Sequence, residues 1–356
     1  MKSKIYLLLL SIMAFSCTSN QKSINDVIEL NGQRVKGDSA YYGSSPILLC
    51  DNYLISHSDD VAFNCIISLL EDSCLKSSQP ILDVGNGNNE FHSIALAKGM
   101  GSELYVLDYP NSCNQLLSLT KISNTKTISS IKNSKAWNYY SLAAIPSFRC
   151  VFDTFVLLSD STILVPGSTY NEIGHLLSVI DYKNQTITPL NYWPADGIKC
   201  DSLAKHSIYT DNCRIYGNND NLFLYVCGEE RFAFIFAIEG NCIKVKKELY
   251  STFPDYKGMN GNYMINVRSG KSLVAAANNK NIYAFLVEDK LKDNCVFRLG
   301  NIIEVYDWDG VLEKTIKLDK FGDFIKVSEN NDILYLFSNN PKSGELELWM
   351  YDIKDV

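Results

Sequence analysis

Short apolar runs separated by polar turns dominate the chain from about residue 46 onward. Residues 155–165, FVLLSDSTILV, show the pattern: an apolar run stops at three polar residues and then begins again. This is typical of antiparallel strands joined by tight turns. Long helical periodicity is nearly absent, and residues 60–75 fit either a helix or a strand. The pattern therefore predicts an all-β protein.

The clearest run of strands covers residues 222–247, LFLYVCGEERFAFIFAIEGNCIKVKK, which predicts three strands joined by two tight turns. In the middle strand Phe232, Phe234 and Phe236 alternate with smaller apolar residues, so both of its faces are apolar. A strand that is apolar on both faces belongs to a sheet covered on both sides, as in stacked sheets.

Groups of three or four such strands recur about every 50 residues, which is the size of a propeller blade. We therefore predict a single β-propeller over residues 25–356 with six blades, or seven as the alternative. The prediction includes closure in the last blade, where a strand near Asp26–Leu30 pairs beside one near Glu345–Ile353. Tandem β-sandwiches are the competing arrangement, but they call for Pro/Gly-rich linkers that the sequence does not contain.

The first residues have the order of an export signal. A positive stretch with Lys2 and Lys4 precedes the apolar run Ile5–Phe15, and residues 14–17, Ala-Phe-Ser-Cys, resemble a bacterial lipobox. The resemblance implies a signal peptide over residues 1–16, a lipidated Cys17 and a polar tether over residues 17–24. Because Thr18 is not Asp, we expect the anchor to lie in the outer membrane, at the periplasmic face, with the cell surface as the alternative.

Ten cysteines remain after Cys17, without a CxxC pair or regular spacing. A zinc site therefore has no support, and buried thiols within apolar runs are the simpler interpretation. Cys227 and Cys242 flank a predicted hairpin, so a disulfide between them stays open as an alternative.

Residues 82–91, LDVGNGNNEF, superficially resemble a loop that binds a nucleotide phosphate. A dinucleotide fingerprint needs a third glycine where Glu90 stands, and a carboxylate there would repel a pyrophosphate. The chain also returns to strand within about a dozen residues, which leaves little room for the crossover helix. We therefore interpret this segment as structural.

Two segments resemble the TolB-like family of six-bladed propeller lipoproteins, whose functions are largely unknown. DVGNGNNEF is similar to their inter-blade link, also found in NHL-like propellers, and IIEVYDWDGVLEKTIKLD is similar to a hairpin of their late blades. The resemblance implies that Gly85 and Gly87 adopt positive φ, that Glu90 accepts backbone N–H bonds and that Phe91 packs between blades. It also implies that Trp308 packs at a blade edge beside a tight turn at Asp309-Gly310.

No motif for a nucleophile, a metal or a cofactor stands in the chain, so we predict no catalytic, cofactor-binding or metal site. The net charge of −7 without a basic patch argues against nucleic acid as a partner. We expect a monomeric, membrane-anchored binding or scaffold module for a protein, peptide or glycan. The alternative is a propeller hydrolase or lyase that acts on polysaccharide, since propeller active sites leave no local motif.

Aromatic residues stand in two of the longer predicted loops. Residues 133–142 read NSKAWNYYSL and residues 189–197 read PLNYWPADG. Tyr and Trp give large contact areas at low entropic cost, so they are common in binding surfaces. The candidate partner-binding residues are therefore Trp137, Tyr139, Tyr140, Tyr192 and Trp193.

Overall fold

The structure is a computed structural model of the chain. It describes residues 27–356 apart from 38–42, 51, 72, 86, 88, 100–102, 109–117, 124, 146–147, 150–153, 170–173, 200–201, 212, 260–261, 268, 293–294 and 340–345. The predicted signal peptide, Cys17 and the tether lie outside the described residues. In the described part, no helix has both the length and the apolar character needed to cross a membrane.

Six blades of antiparallel strands form a β-propeller, as the sequence predicts. In each blade the first strand lies innermost, and the later strands follow outward in chain order. The strands are Gly43–Cys50, Tyr53–Ser58, Phe63–Glu71 and Cys74–Asp83 in blade 1; Ile94–Lys98, Leu104–Asp108, Ser118–Ile122 and Trp137–Ser141 in blade 2; Val156–Leu157, Thr162–Pro166, Leu177–Asp181 and Thr186–Pro189 in blade 3; Arg214–Gly217, Leu222–Val226, Phe232–Glu239 and Cys242–Ser251 in blade 4; Lys271–Ala277, Ile282–Lys292, Cys295–Tyr306 and Leu312–Gly322 in blade 5; Phe324–Val327, Ile333–Asn339 and Leu346–Asp352 in blade 6.

An N-terminal strand completes blade 6, which confirms the predicted closure. The strand that does so follows the predicted segment in the sequence. Gln33–Val35 pairs antiparallel with Leu346–Asp352 as the outermost strand. Val27–Leu30, the segment expected in that role, instead pairs parallel with Leu312–Gly322 as a fifth strand of blade 5. The N-terminal segment thus joins two blades, and closure removes edges that would otherwise invite pairing with another chain.

Several elements lie outside the blades. A helix, Ile128–Ile131, and a 3₁₀ turn, Ser134–Ala136, precede the outer strand of blade 2. Phe148–Arg149 pairs with Ser168–Thr169. A second helix, Ser202–Thr210, stands between blades 3 and 4, and a hairpin, Asp255–Met259 with Asn262–Val267, stands between blades 4 and 5. We call this helix and this hairpin together the helix–hairpin unit.

The core lies between neighbouring blades, as the apolar character of both strand faces predicts. In blade 4, Phe232, Phe234 and Phe236 pack into a cluster shared with blade 3. From the opposite face of the same strand, Ala233 and Ile235 pack into the cluster shared with blade 5. Each large side chain buried in this way stabilises the fold by roughly 1.5–3 kcal/mol.

The link after blade 1 confirms two of its expected features and corrects a third. The Glu90 carboxylate accepts the Gly87 N–H at 2.7 Å, and Phe91 is buried between blades 1 and 2. The glycines do not have positive φ; Leu82 and Asn89 do, at 59° and 67°. A Cβ on Gly85 would lie 2.0 Å from Glu90 Oε2, so a larger residue there would require the Glu90 carboxylate to move.

The hairpin at Asp307–Val311 has the expected geometry. Gly310 has a φ of +75°, and the Asp307 carboxylate accepts the N–H groups of Asp309 and Val311 at 3.0 and 2.8 Å. Trp308 is buried, and its Nε1–H donates to the Asn278 carbonyl at 3.0 Å. Local turn chemistry and one buried indole therefore position this blade edge.

Candidate functional site

The six innermost strands enclose a central channel with a cavity volume of about 810 Å³. Each blade contributes residues to its wall, and most of these residues are aliphatic or aromatic. A volume of this size falls within the range of small-molecule sites, which are typically 300–1,000 Å³. The channel is therefore the concave site that the fold builds.

Side chains on the channel wall tie the innermost strands together. The Thr154 hydroxyl donates to the Ile215 carbonyl at 3.1 Å, which links blade 3 to blade 4. The Tyr216 hydroxyl donates to the Ala275 carbonyl at 2.5 Å, which links blade 4 to blade 5. These bonds satisfy carbonyl groups that inner-strand edges would otherwise leave without a partner.

Lys326 makes the same kind of link between blades 6 and 1, but with a charged group. Its Nζ donates to the Ile47 carbonyl at 2.8 Å. Burial, with a smaller contribution from the positive charge of Arg214, lowers the pKa of the Lys326 ammonium to about 8. No carboxylate pairs with Lys326 among the described residues.

The charge that lines the channel is positive. Lys98, Arg214 and Lys326 face the cavity, and the described lining residues include no Asp or Glu. Lys98 is bonded to Glu329, which follows the innermost strand of blade 6. A wall with cations and apolar side chains in an otherwise acidic protein is suited to hold an anion, because the low dielectric strengthens its attraction to the cations.

A second buried charged cluster lies in the helix–hairpin unit. The fully buried Asp196 side chain accepts from Lys205 Nζ at 2.8 Å and from the hydroxyls of Tyr209 and Tyr256 at 3.0 and 2.9 Å. Burial raises the pKa of Asp196, but the bonds from Lys205, the Ile198 N–H, Tyr256 and Tyr209 outweigh it and hold that pKa below its usual value. The cluster joins a loop, a helix and a hairpin, so its role is to hold them together.

Three of the aromatic candidates lie on the outer strand of blade 2, where the sequence predicts a loop. Trp137 donates its Nε1–H to the Ile131 carbonyl at 2.9 Å and lies 5.8 Å from the Phe91 ring. Tyr140 packs edge-on against Tyr182 at 4.9 Å. Tyr139 is 67% exposed and presents its ring to solvent.

The other two aromatic candidates pack beside the helix–hairpin unit. Tyr192 lies 5.1 Å from the Phe234 ring, and burial raises its pKa to about 12. Trp193 stacks on His206 at 6.3 Å, and the Lys205 ammonium lies 5.8 Å from its ring centroid. The five candidates therefore do not form one surface, and none of them lines the described channel.

The disulfide between Cys227 and Cys242, which the sequence left open as an alternative, does not form. Cys227 is buried with its Sγ 3.9 Å from the Ile208 carbonyl, and Cys242 lies near Asn191. Burial raises the pKa of the Cys227 thiol to about 11, which keeps it protonated near neutral pH. Within the described part of the chain, no group of three His, Cys, Asp or Glu side chains could hold a metal ion.

Sequence reasoning did not single out Lys326 and Arg214. The available signal is a charged residue inside a short apolar run, in FIKV and CRIYG. The same signal occurs on many solvent-facing strands, so it becomes informative only when the strand is known to be innermost.

No family model matches the chain. No curated protein matches it either. Among solved structures, it is similar to a gluconolactonase from Xanthomonas campestris, with 12% identity, 88% of this chain and 87% of that chain covered, and a TM-score of 0.43. It is also similar to a protein of unknown function from Bacteroides thetaiotaomicron, with 9% identity, 90% and 75% covered, and a TM-score of 0.43.

The structure titled U3-55K is a further similar chain, with 8% identity, 90% and 98% covered, and a TM-score of 0.42. These proteins differ widely in what their names say they do. At such identities and scores their functions do not transfer to this chain.

Proposed function

We propose that this chain is a lipid-anchored cell-envelope protein whose propeller binds a ligand in its central channel without transforming it. The observation that carries the proposal is the channel of about 810 Å³, walled by the innermost strands of all six blades. A rigid scaffold that surrounds one cavity of this size is suited to hold a small molecule, such as part of a glycan or a short peptide.

The character of the wall favours binding over the alternative, a hydrolase or lyase acting on polysaccharide. Glycoside hydrolases use a pair of carboxylic groups on either side of the scissile bond. Among the described residues that line this channel the charged groups are cations instead, with Lys326 and Arg214 on the innermost strands of blades 6 and 4. Cations suit the holding of a ligand by charge and by hydrogen bonds.

The proposed address rests on the sequence of the first seventeen residues. Cys17 follows a charged stretch and a short apolar run, so lipidation there would hold the propeller at the outer membrane, at its periplasmic face. Substitution Cys17→Ala should release the protein into the soluble envelope fraction. A variant that still fractionates with membranes would contradict the anchor and leave the channel proposal to be judged by itself.

The binding function is tested by filling the channel. Ala277 lines the cavity and is half-buried, so Ala277→Phe would occupy space in it. We expect the soluble Cys17→Ala chain to bind a component of a glycan and peptide array, and the added Ala277→Phe substitution to abolish that binding.

The control is Val245→Phe, which introduces the same aromatic ring at a 36% exposed residue on the outer strand of blade 4. Both variants must keep the melting temperature of the parent to within a few degrees. Equal binding by the channel-filled variant, or turnover of an array polysaccharide, would overturn the proposed function.

A further inference from the structure

We propose that the channel is an oxyanion site, in which Lys326 and Arg214 bind the carboxylate or phosphate group of a small ligand. This inference rests on the proposed function and specifies the ligand's chemistry. Lys326 lies on the innermost strand of blade 6 and Arg214 on that of blade 4, and both line the same cavity. Two different blades therefore bring these cationic residues to one cavity.

The charge of Lys326 is not neutralised within the described part of the chain. Among the described residues its one hydrogen bond goes to the neutral Ile47 carbonyl, and none of their carboxylates lies within ion-pair distance. Buried charges in proteins are normally paired, since an ammonium that leaves water without a counter-charge is strongly disfavoured. An anion in the channel would supply that missing counter-charge.

Other cations whose side chains are partly buried show the ordinary arrangement. Lys205 is paired with Asp196 at 2.8 Å, and Lys98 is bonded to Glu329. Arg298 lies 3.4 Å from Asp289 and 3.7 Å from Glu229. This protein therefore pairs its buried cations with its own carboxylates elsewhere, and Lys326 departs from that arrangement.

Linking two blades does not by itself require a lysine. Thr154 and Tyr216 make equivalent links between neighbouring blades with neutral hydroxyl groups. A neutral donor at position 326 would satisfy the Ile47 carbonyl without burying a charge. The ammonium is therefore best explained by a second role, which is the binding of a negatively charged group.

The donors suit an oxyanion. A lysine ammonium has three N–H donors, of which the Ile47 carbonyl takes one, and two remain for a ligand. An arginine guanidinium offers a planar fork that matches the two oxygens of a carboxylate or a phosphate. Arg214 Nη1–H donates to the Cys213 carbonyl at 3.1 Å, which helps to hold the side chain at the start of its strand.

The reactivity of the Lys326 amine gives a direct test, because only the neutral amine is acetylated. The other charged or titratable side chains that line the described cavity are His57, Lys98, Arg214 and Tyr216. The acetylation rate of Lys326 is measured by mass spectrometry across pH 6–10, in phosphate and in chloride at equal ionic strength. We expect phosphate to raise the pKa of Lys326 by about one unit, which corresponds to a tenfold change in its proton affinity, and to slow acetylation near pH 8.

Lys246 is the matched control, because it lies on the protein surface in an exposed pair with Glu239. Its rate should not differ between phosphate and chloride. In Arg214→Gln the phosphate effect on Lys326 should fall to a small fraction of its wild-type size. An unchanged Lys326 pKa in phosphate, or an equal effect on Lys246, would overturn the proposal.

Two further probes identify the oxyanion and separate this inference from the proposed function. Calorimetry with galacturonate, inorganic phosphate and neutral galactose uses the wild-type soluble chain, Lys326→Gln and Lys326→Arg. We expect at least one anion to bind about tenfold more tightly than galactose, to lose that advantage in Lys326→Gln and to recover part of it in Lys326→Arg. A ligand that Ala277→Phe excludes but that binds Lys326→Gln as tightly as wild type would leave the channel function intact and overturn the anion site.

Discussion

Lys205 and Lys326 are two largely buried lysines in one protein, and their surroundings differ in every electrostatic respect. Lys205 pairs with a buried carboxylate, Asp196, whose second oxygen accepts bonds from two tyrosine hydroxyls. Lys326 contacts a neutral carbonyl and lies in the field of another cation, Arg214. The first arrangement is complete within the protein, whereas in the second we propose that a negatively charged ligand supplies the counter-charge.

The comparison shows how burial of the same group can serve structure or binding. A buried cation with a full set of partners holds its neighbours in one geometry, and removal of either partner leaves an uncompensated charge. A buried cation without a counter-charge destabilises the empty protein and favours ligand binding in return, as functional sites often do. The predictions below test each side of this contrast.

The largest expected effect is the loss of the paired lysine. Lys205→Met leaves the Asp196 carboxylate buried without its ion partner, so the free energy of unfolding should fall by about 3–5 kcal/mol. Urea denaturation at pH 7 measures the change. Lys246→Met is the control, because its partner Glu239 is about half exposed and such pairs contribute roughly 0–1 kcal/mol. Equal effects in the two variants would contradict the structural role of the pair.

The same pair has a predictable response to acid. Because the pKa of Asp196 is lowered in the folded protein, its contribution to stability is present above the unfolded value of about 3.9 and is lost as pH falls through the lower folded value. Wild type should therefore lose more stability than Lys205→Met between pH 5 and pH 3. Parallel curves for the two proteins would show that Asp196 is not the group that titrates.

The next largest effect concerns one hydroxyl. Tyr256→Phe removes a hydrogen bond to the Asp196 carboxylate while keeping the ring that packs against Tyr209 at 6.3 Å. Hydrogen bonds to charged groups contribute about 1.5–3 kcal/mol, and we expect a loss in this range. A Lys205→Met/Tyr256→Phe double mutant measures the coupling, which should be clearly non-zero because both groups share one carboxylate.

Substitution of Lys326, which has no carboxylate partner among the described residues, should change the free energy of unfolding in the opposite direction. Lys326→Met removes a poorly compensated charge, so the empty protein should become more stable by about 1–2 kcal/mol at pH 7. Between pH 8 and about 10.4 the unfolded chain still holds a proton that folded Lys326 has released, so wild-type stability rises with pH in that window. The advantage of the variant should therefore shrink toward pH 10. A destabilised variant at pH 7 would make Lys326 a purely structural link.

The smallest effect isolates the influence of one cation on the other. Arg214→Gln removes the positive charge that helps to lower the pKa of Lys326, so that pKa should rise by less than about one unit in the absence of added anion. Burial, the larger cause, remains. Acetylation rates across pH report the shift, and a pKa that does not rise would show that the two side chains do not share one electrostatic environment.

Local pattern was a good guide where strands are apolar on both faces or turns have specific chemistry. The strands within residues 222–247 and the hairpin at Asp309-Gly310 follow the prediction closely. Ser202–Thr210 was missed as a helix, because polar side chains such as His206 and Thr210 are buried beside apolar ones and hide the helical period. The strands Ile282–Lys292 and Cys295–Tyr306 pair as an extended hairpin, which the sequence analysis did not identify.

Much less of the candidate site than of the fold could be predicted from the sequence. The aromatic residues chosen as contacts are large and stand between predicted strands, yet Trp137 and Tyr192 contact the packed core. Tyr139, an aromatic residue on the same strand as Trp137, is exposed because the strand presents its side chain to solvent. The orientation of an outer strand depends on the blade beside it, and no local pattern contains that information.

The sequence by itself determined the strands, the turns and the blade-sized repeat, because alternation, β-branched content and turn residues act over a few neighbouring positions. Only the tertiary structure decided that Lys205, and not Lys326, has a carboxylate beside it among the described residues. Lys205 is nine residues from Asp196 and shares its cluster with Tyr256 from a distant hairpin. Lys326 meets Ile47 across the closure of the propeller, 279 positions away. Charge compensation depends on such distances in space, and these exist only after the blades have closed into one structure.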